Sequence, residues 1–280
     1  KMAQRHFPLL VLALIYGGLP LTFAHPDAAA VFASTARMEN DIGRRMNESA
    51  TLFFGVTNSD ELAPGRSMWR ACLQVRLVHA MVRVHLLSKG WDTAEQGLPI
   101  NQLATSAGPA FFGTHLLGSL TRLGAQPTDE EALGHKMIWR YTTRLLGVPE
   151  ELIGATQAEQ DEYDRHITSV IFAPDDRARA VMAGLIDGLA NQKPTSSFPG
   201  DLQLALFRRM LGDAMADAFA VPIDSKGEKK LARLLPLFRL YGRLQSNRLV
   251  ASPLQRLGRR VLSRLGTEGL ISLDRAGSRH

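Results

Sequence analysis

Residues 67–89, SMWRACLQVRLVHAMVRVHLLSK, decide how this chain is to be read. The stretch shows no two-residue alternation and its apolar residues suit a 3.6-residue period, so it predicts one long helix. On that helix Arg76, His79 and Arg83 fall at i, i+3 and i+7 and share one face, flanked by Leu73, Val75, Leu77, Val78, Met81, Val82 and Leu86. Two guanidinium groups and an imidazole are costly to desolvate unless something anionic or metallic meets them. Haem would satisfy the pattern, with His79 binding iron through a ring nitrogen and the arginines meeting the propionates. A hydrogen-bonded core histidine, with the arginines paired to carboxylates across a bundle, is the commoner origin of such a pattern, so the spacing leaves both open. A second polar stripe, Arg45-x-x-Glu48-Ser49, lies on a helix expected over 39–55.

Working outward, helical periodicity persists from end to end. Helices are expected over 7–16, 26–37, 39–55, 67–89, 101–104, 107–124, 128–147, 155–171, 175–192, 199–219, 226–247 and 252–265. The expected class is all-α. Pro127-Thr128-Asp129-Glu130-Glu131 reads as a capping sequence, and Thr156 is followed three residues later by Glu159. Gly90, Gly124, Gly147-Val148-Pro149 and Val221-Pro222 read as stops. The linkers are short, and no repeat or low-complexity tract interrupts them. The expected organisation is a single multi-helix domain over 7–222 followed by basic amphipathic helices and a tail over 223–280.

Net charge is +6, but residues 226–266 hold eleven Lys or Arg against the single acid Glu228, whereas residues 1–225 carry 20 basic and 24 acidic side chains. The basic segment is interleaved with leucines and aromatics, which suits an anionic membrane surface through 226–265 or a solvated face on a packed helix. No nucleic-acid motif accompanies the charge, and the 7% of aromatic residues offers no ladder for stacking bases. Cys72 is the only cysteine, which leaves no intrachain disulfide and no cysteine-rich metal site, and fits a reducing compartment. The location expected is cytoplasmic or peripheral to a membrane, with secretion left open. Residues 1–24 can be read as a signal peptide, but Pro8, Gly17-Gly18 and Pro20 interrupt the apolar run, so it is read as a core helix turning near Gly17–Pro20.

Dinucleotide, Walker, zincin and nucleophile-elbow motifs are absent, and no paired Glu-x-x-His motifs support a di-iron bundle. Without Cys-x-x-Cys-His, any haem would be held non-covalently. The order of the remaining motifs is more specific than any one of them. Leu21-Thr-Phe-Ala-His25-Pro26-x-Ala-Ala-Ala-Val31 is followed by Arg45-x-x-x-Ser49 and Arg76-Leu-Val-His79-Ala-Met-Val-Arg83. Gly97-Leu-Pro99-Ile-Asn101-Gln102 and His135-x-x-x-Trp139-x-Tyr141 come next, before Leu146-Gly147-Val148. Over roughly residues 7–222 this series resembles the rubber oxygenase family, in which latex-clearing protein and the MpaB-type oxygenases are grouped.

The resemblance implies an all-helical, globin-like core holding haem b, with His79 as the iron ligand and Arg76 and Arg83 orienting it or holding propionates. It places Arg45 on the distal side. Glu48 stands where latex-clearing proteins carry a lysine able to occupy the distal axial position, and Ser49 stands where they carry a threonine. These three are the catalytic candidates. The implied reaction is O2-dependent cleavage of a hydrophobic alkenyl or isoprenoid substrate. A non-catalytic helical protein that binds haem or lipid at a membrane surface is the other reading, favoured by Glu48. His25 and His135 are read as structural, and Phe53, Phe54, Phe111, Phe112 and Leu116 as core.

Overall fold

A computed structural model describes residues 2–34, 49, 51–191, 195–245 and positions 253 and 256 of the chain. Every regular element among these residues is helical, as the periodicity predicts. Helices α1 (Met2–Arg5), α2 (Phe7–Ala13), α3 (Pro26–Ser34) and α4 (51–55) precede the long α5 (Ser67–Ser88). Two short helices, α6 (Thr93–Gln96) and α7 (Gln102–Ser106), lead to a π-helical segment, Pro109–His115, that runs into α8 (Leu116–Arg122). Then come α9 (Asp129–Leu145), α10 (Gln157–Ile171), α11 (Asp176–Asn191), α12 (Gly200–Leu211), α13 (Asp213–Ala218) and α14 (Ser225–Leu244). Both expected capping boxes form: Thr128 with Glu131 starts α9, and Thr156 with Glu159 starts α10.

Three local expectations need correction. The N-terminal run does not turn near Gly17–Pro20. It continues from α2 through a π turn, Leu14–Gly18, and a 3₁₀ turn, Leu19–Phe23, and the 94° bend comes between Phe7–Phe23 and Pro26–Ser34. Pro20 is tolerated because it sits in the first turn of the 3₁₀ segment, where a missing N–H breaks no ladder. Packing holds the irregular stretch in place, with Tyr16 fully buried and its ring edge-on to Phe207 at 4.9 Å. The helix expected over 199–219 divides at Gly212, whose φ of +82° ends α12 before α13 begins. Helix α6 was not anticipated; the Asp92 carboxylate caps it by accepting from the Ala94 and Glu95 amides at 2.9 and 3.1 Å. Among the described residues no single helix is long and apolar enough to cross a membrane.

The two ends of the described chain meet at the start of α9. The buried Arg5 guanidinium pairs with Glu131 and donates to the carbonyls of Gln126 (2.9 Å) and Gln245 (3.4 Å), while the Tyr241 hydroxyl donates to the Arg5 carbonyl at 3.3 Å. Beside it His6 is wholly buried, with neither ring nitrogen hydrogen-bonded. Burial, and then the neighbouring Arg5 charge, push the His6 ring down to about 4. Burial does the same to His135, also to about 4, although its Nε2–H donates to the Phe112 carbonyl at 2.8 Å.

Both rings therefore bind fewer protons in the folded chain than in the unfolded one between about 4 and the free value of 6.5. Stability is fully present above 6.5 and falls as pH drops through that window, by about 1 kcal/mol per pH unit for each ring. Thermal melts at pH 7.0 and about 5.0 should show the decline, and the double replacement His6→Gln/His135→Gln should roughly halve it, because burial lowers His79 and His115 to about 4 as well.

Candidate functional site

Helix α5 is the element on which the site is built. Its start is fixed by Glu61, whose carboxylate accepts from the Ser67 hydroxyl at 2.6 Å and the Ser67 amide at 3.4 Å. Its end is fixed by Lys89, whose amide bonds back to the His85 and Leu86 carbonyls before Gly90 takes a positive φ. Met68, Ala71, Cys72 and Leu86 are buried and define its inner side. His79 lies about 20° around the helix from both Cys72 and Leu86, so its ring belongs to that inner side.

Burial, and next the positive Arg83 beside it, push the His79 ring down to about 4, so at neutral pH it is an uncharged imidazole with a free lone pair. It makes no hydrogen bond among the described residues. Among those residues no group of three His, Cys, Asp or Glu side chains could hold a metal ion. A neutral imidazole without a hydrogen-bond partner among the described residues is chemically suited to bind a haem iron.

The two arginines that share the His79 face separate in space. Arg83 clamps a turn, with Nε donating to the Pro99 carbonyl at 3.1 Å and Nη2 to the Ile100 carbonyl at 2.5 Å. Ile100 has a φ of +52°, unusual for a β-branched residue, and the clamp helps to hold it there. The next residue extends the anchor: Asn101 Nδ2 donates to Asp27 at 3.3 Å, and its Oδ1 caps α7 by accepting from Ala104 N at 2.8 Å. Arg83 is thus met by carbonyl oxygens rather than by a carboxylate.

Arg76 is exposed and lies over Gly147, where an added Cβ would sit 2.6 Å from its Nε. Gly147 has a φ of +99° and no side chain, and both properties are needed for the guanidinium to rest there. Arg76 meets no carboxylate among the described residues, which leaves its charge available to an anionic ligand. The sequence pattern treats this face as buried throughout; the exposure of Arg76 corrects that, because water solvates its guanidinium.

Arg45 and Glu48 lie outside the described residues, and Ser49 is a half-buried position in helical conformation. Phe54, Phe111, Phe112 and Leu116 are core, while Phe53 is half-buried against Phe112, its ring centroid 4.4 Å away. Phe112 in turn stacks on Trp139 at 4.7 Å. His25 Nδ1 accepts from the Asp27 amide at 3.3 Å, a local turn contact. An open cavity of about 590 Å³ lies between α1, residues 57–63 and α9, lined in part by Leu62, His135, Ile138 and Tyr141, and includes none of the α5 triad. Sequence reasoning missed the Arg83 clamp and the seat of Arg76 on Gly147. The signal was there, since Pro99-Ile100-Asn101 and Leu146-Gly147-Val148 are two of the motifs, but nothing in a linear spacing says which arginine each motif receives.

A sequence model of the family described as "ER-bound oxygenase mpaB/B'/Rubber oxygenase, catalytic domain" matches residues 4–246. The rubber oxygenase of Streptomyces sp. (strain K30) is 25% identical over 235 residues, which is 81% of this chain and 56% of that protein. The chain thus spans little more than half the length of this curated relative. Among solved structures, latex clearing protein in the closed state superposes with a TM-score of 0.69 at 20% identity, covering 93% of this chain and 73% of the other. That likeness is one of fold.

Proposed function

The chain belongs to the family of the mpaB-type and rubber oxygenases, through the family's catalytic domain, and from that premise we propose that it is a haem b-dependent oxygenase acting on a hydrophobic isoprenoid substrate. The observation that carries the proposal is His79, a neutral, unpartnered imidazole on the inner side of α5 within the matched segment. When bound, haem b would supply an iron centre at which O2 is used to cleave a carbon–carbon double bond into two carbonyl products. His79 would hold that centre through its lone pair. Arg76, solvated and without a carboxylate partner, is the residue proposed to meet a propionate. Arg83 is proposed to act one step removed, by fixing the Pro99–Asn101 turn against the helix that carries His79.

Arg45, Glu48 and Ser49 are proposed as the distal residues, where Arg45 would supply a positive charge to the reacting O2. Residues 7–222 are proposed as the cofactor-holding unit and 223–280 as a basic extension. The second reading, a haem- or lipid-binding protein without turnover, is favoured by one specific feature. Glu48 replaces a lysine with a group of opposite charge, and a carboxylate disfavours negative charge developing on oxygen.

Oxygen uptake separates the two. Protein expressed with haem supplementation should show a Soret band, consume O2 in the presence of a polyisoprenoid emulsion and release carbonyl-terminated fragments. A Soret band with no oxygen uptake on polyisoprene or shorter isoprenoids would favour the binding protein, and failure to take up hemin would remove the oxygenase and leave lipid binding alone.

A further inference from the structure

Helix α5 is apolar on more than one side, a pattern that belongs to helices covered all round. Among the described residues the fold covers only the His79 side. About 140–200° around the helix from His79, Leu77, Met81 and Val84 are 61%, 61% and 67% exposed, and Val78 beside them is 51% exposed. Four large aliphatic side chains side by side on one helix make a contiguous apolar patch of the kind that marks an interaction surface.

The charges around the patch say what kind of surface fits it. Arg70 lies on the line of the patch at its N-terminal end, and Lys89 closes the C-terminal end; both are exposed, and neither meets a carboxylate among the described residues. Helix α5 contains no Asp or Glu. The acids nearest in sequence are engaged elsewhere: Glu61 with Ser67, and Asp92 with the amides that start α6. Pairing two copies of this face would set apolar against apolar but cation against cation, with no acid on either helix to relieve the repulsion. An interface that offers hydrocarbon between anionic headgroups satisfies both features at once.

We propose that the outer face of α5, Leu77, Val78, Met81 and Val84 with Arg70 and Lys89 at its ends, docks on an anionic lipid bilayer. The face lies back to back with His79, so docking leaves the inner side of the helix untouched and requires no cofactor. The proposal is therefore independent of the oxygenase reading.

Flotation of the full 280-residue chain with phosphatidylcholine vesicles, with and without ~30% phosphatidylserine, tests it. The wild-type chain should float with the anionic vesicles and far less with the neutral ones. Leu77→Gln/Met81→Gln/Val84→Gln should lower anionic partitioning by about tenfold or more. Arg70→Gln/Lys89→Gln should lower it by about fivefold for each charge and leave neutral vesicles unaffected. All substituted positions are exposed, so unchanged circular dichroism and melting are expected; Leu77→Ala/Met81→Ala repeats the test with the strongest helix former if the glutamines unfold the chain.

Three outcomes overturn the proposal. The first is a wild-type chain that stays in solution with both vesicle types. The second is a triple variant that floats as well as wild type, which would assign lipid contact to another segment such as α14. The third is a dimer, seen by light scattering, that the triple variant converts to a monomer, which would make the occupant a second copy.

Discussion

Replacing His79 with alanine is expected to abolish the Soret band of the haem-loaded protein and with it any oxygen uptake. The variant removes the imidazole on the inner side of α5, which makes no hydrogen bond among the described residues. If His79 holds the iron as proposed, its loss should weaken haem binding by roughly 100-fold or more, about 2.7 kcal/mol. His85→Ala is the matched control. It lies on the same helix but on the exposed side, and its loss should leave the spectrum unchanged.

The same ring predicts the pH dependence. A free imidazole of pKa 6.5 is only about 10% neutral at pH 5.5, whereas one held near 4 is almost wholly neutral there. Ligation through His79 should therefore survive acidification to pH 5 and fail only as pH approaches 4. A spectral midpoint near 6.5 would mean that the ligand is a solvated histidine elsewhere.

Gly242→Ala is expected to be among the most damaging single-methyl changes in the described fold. A Cβ at residue 242 would land on the carbonyl oxygen of Gly124, well inside contact distance, and that carbonyl belongs to the turn between α8 and α9. Backbone faces backbone here, so no flexible side chain can move aside. The α14 helix must lift, and it would take with it the buried Gln245 and the Tyr241–Arg5 contact. Gly227, at the other end of α14, meets the Asp201 carbonyl in the same way, so the helix is held by close approach at both ends.

A loss of about 3 kcal/mol is expected, which for a chain of this size lowers the melting temperature by roughly 10 °C. Gly184→Ala supplies the comparison. Its added methyl would meet nothing within 4 Å in the middle of α11, and the change should stabilise the protein by about 0.5–1 kcal/mol. Equal melting of the two variants would show that α14 is not seated as described.

Much of this was legible in the sequence because it depends on neighbours a few residues apart. The helical period gives the all-α class, and Thr128 with Glu131 and Thr156 with Glu159 announce two helix starts that form as read. The ordered motifs give the family. Local rules fail where long-range packing outweighs them. Pro20 and the glycine pair before it suggest a turn, yet burial of Tyr16 and its neighbours carries the chain on through π and 3₁₀ turns to the bend after Phe23. Gly212 is a break that a continuous apolar period conceals.

The site divides along the same line. That Arg76, His79 and Arg83 share a face follows from α-helical geometry alone, and so does the need of that face for polar partners. Which partner each receives does not follow. Arg83 meets the carbonyls of Pro99 and Ile100 because the 97–102 turn folds back on α5, and Arg76 stays in water above Gly147 because the end of α9 passes there without a side chain. The sequence by itself determined the all-α class, the family and the shared face of Arg76, His79 and Arg83, since these rest on periodicity and order along the chain. Only the tertiary structure decided which charges are satisfied, which ring stays neutral and which apolar face of α5 is left uncovered, because desolvation and hydrogen bonding depend on what lies within a few ångströms in space, whatever its distance along the chain.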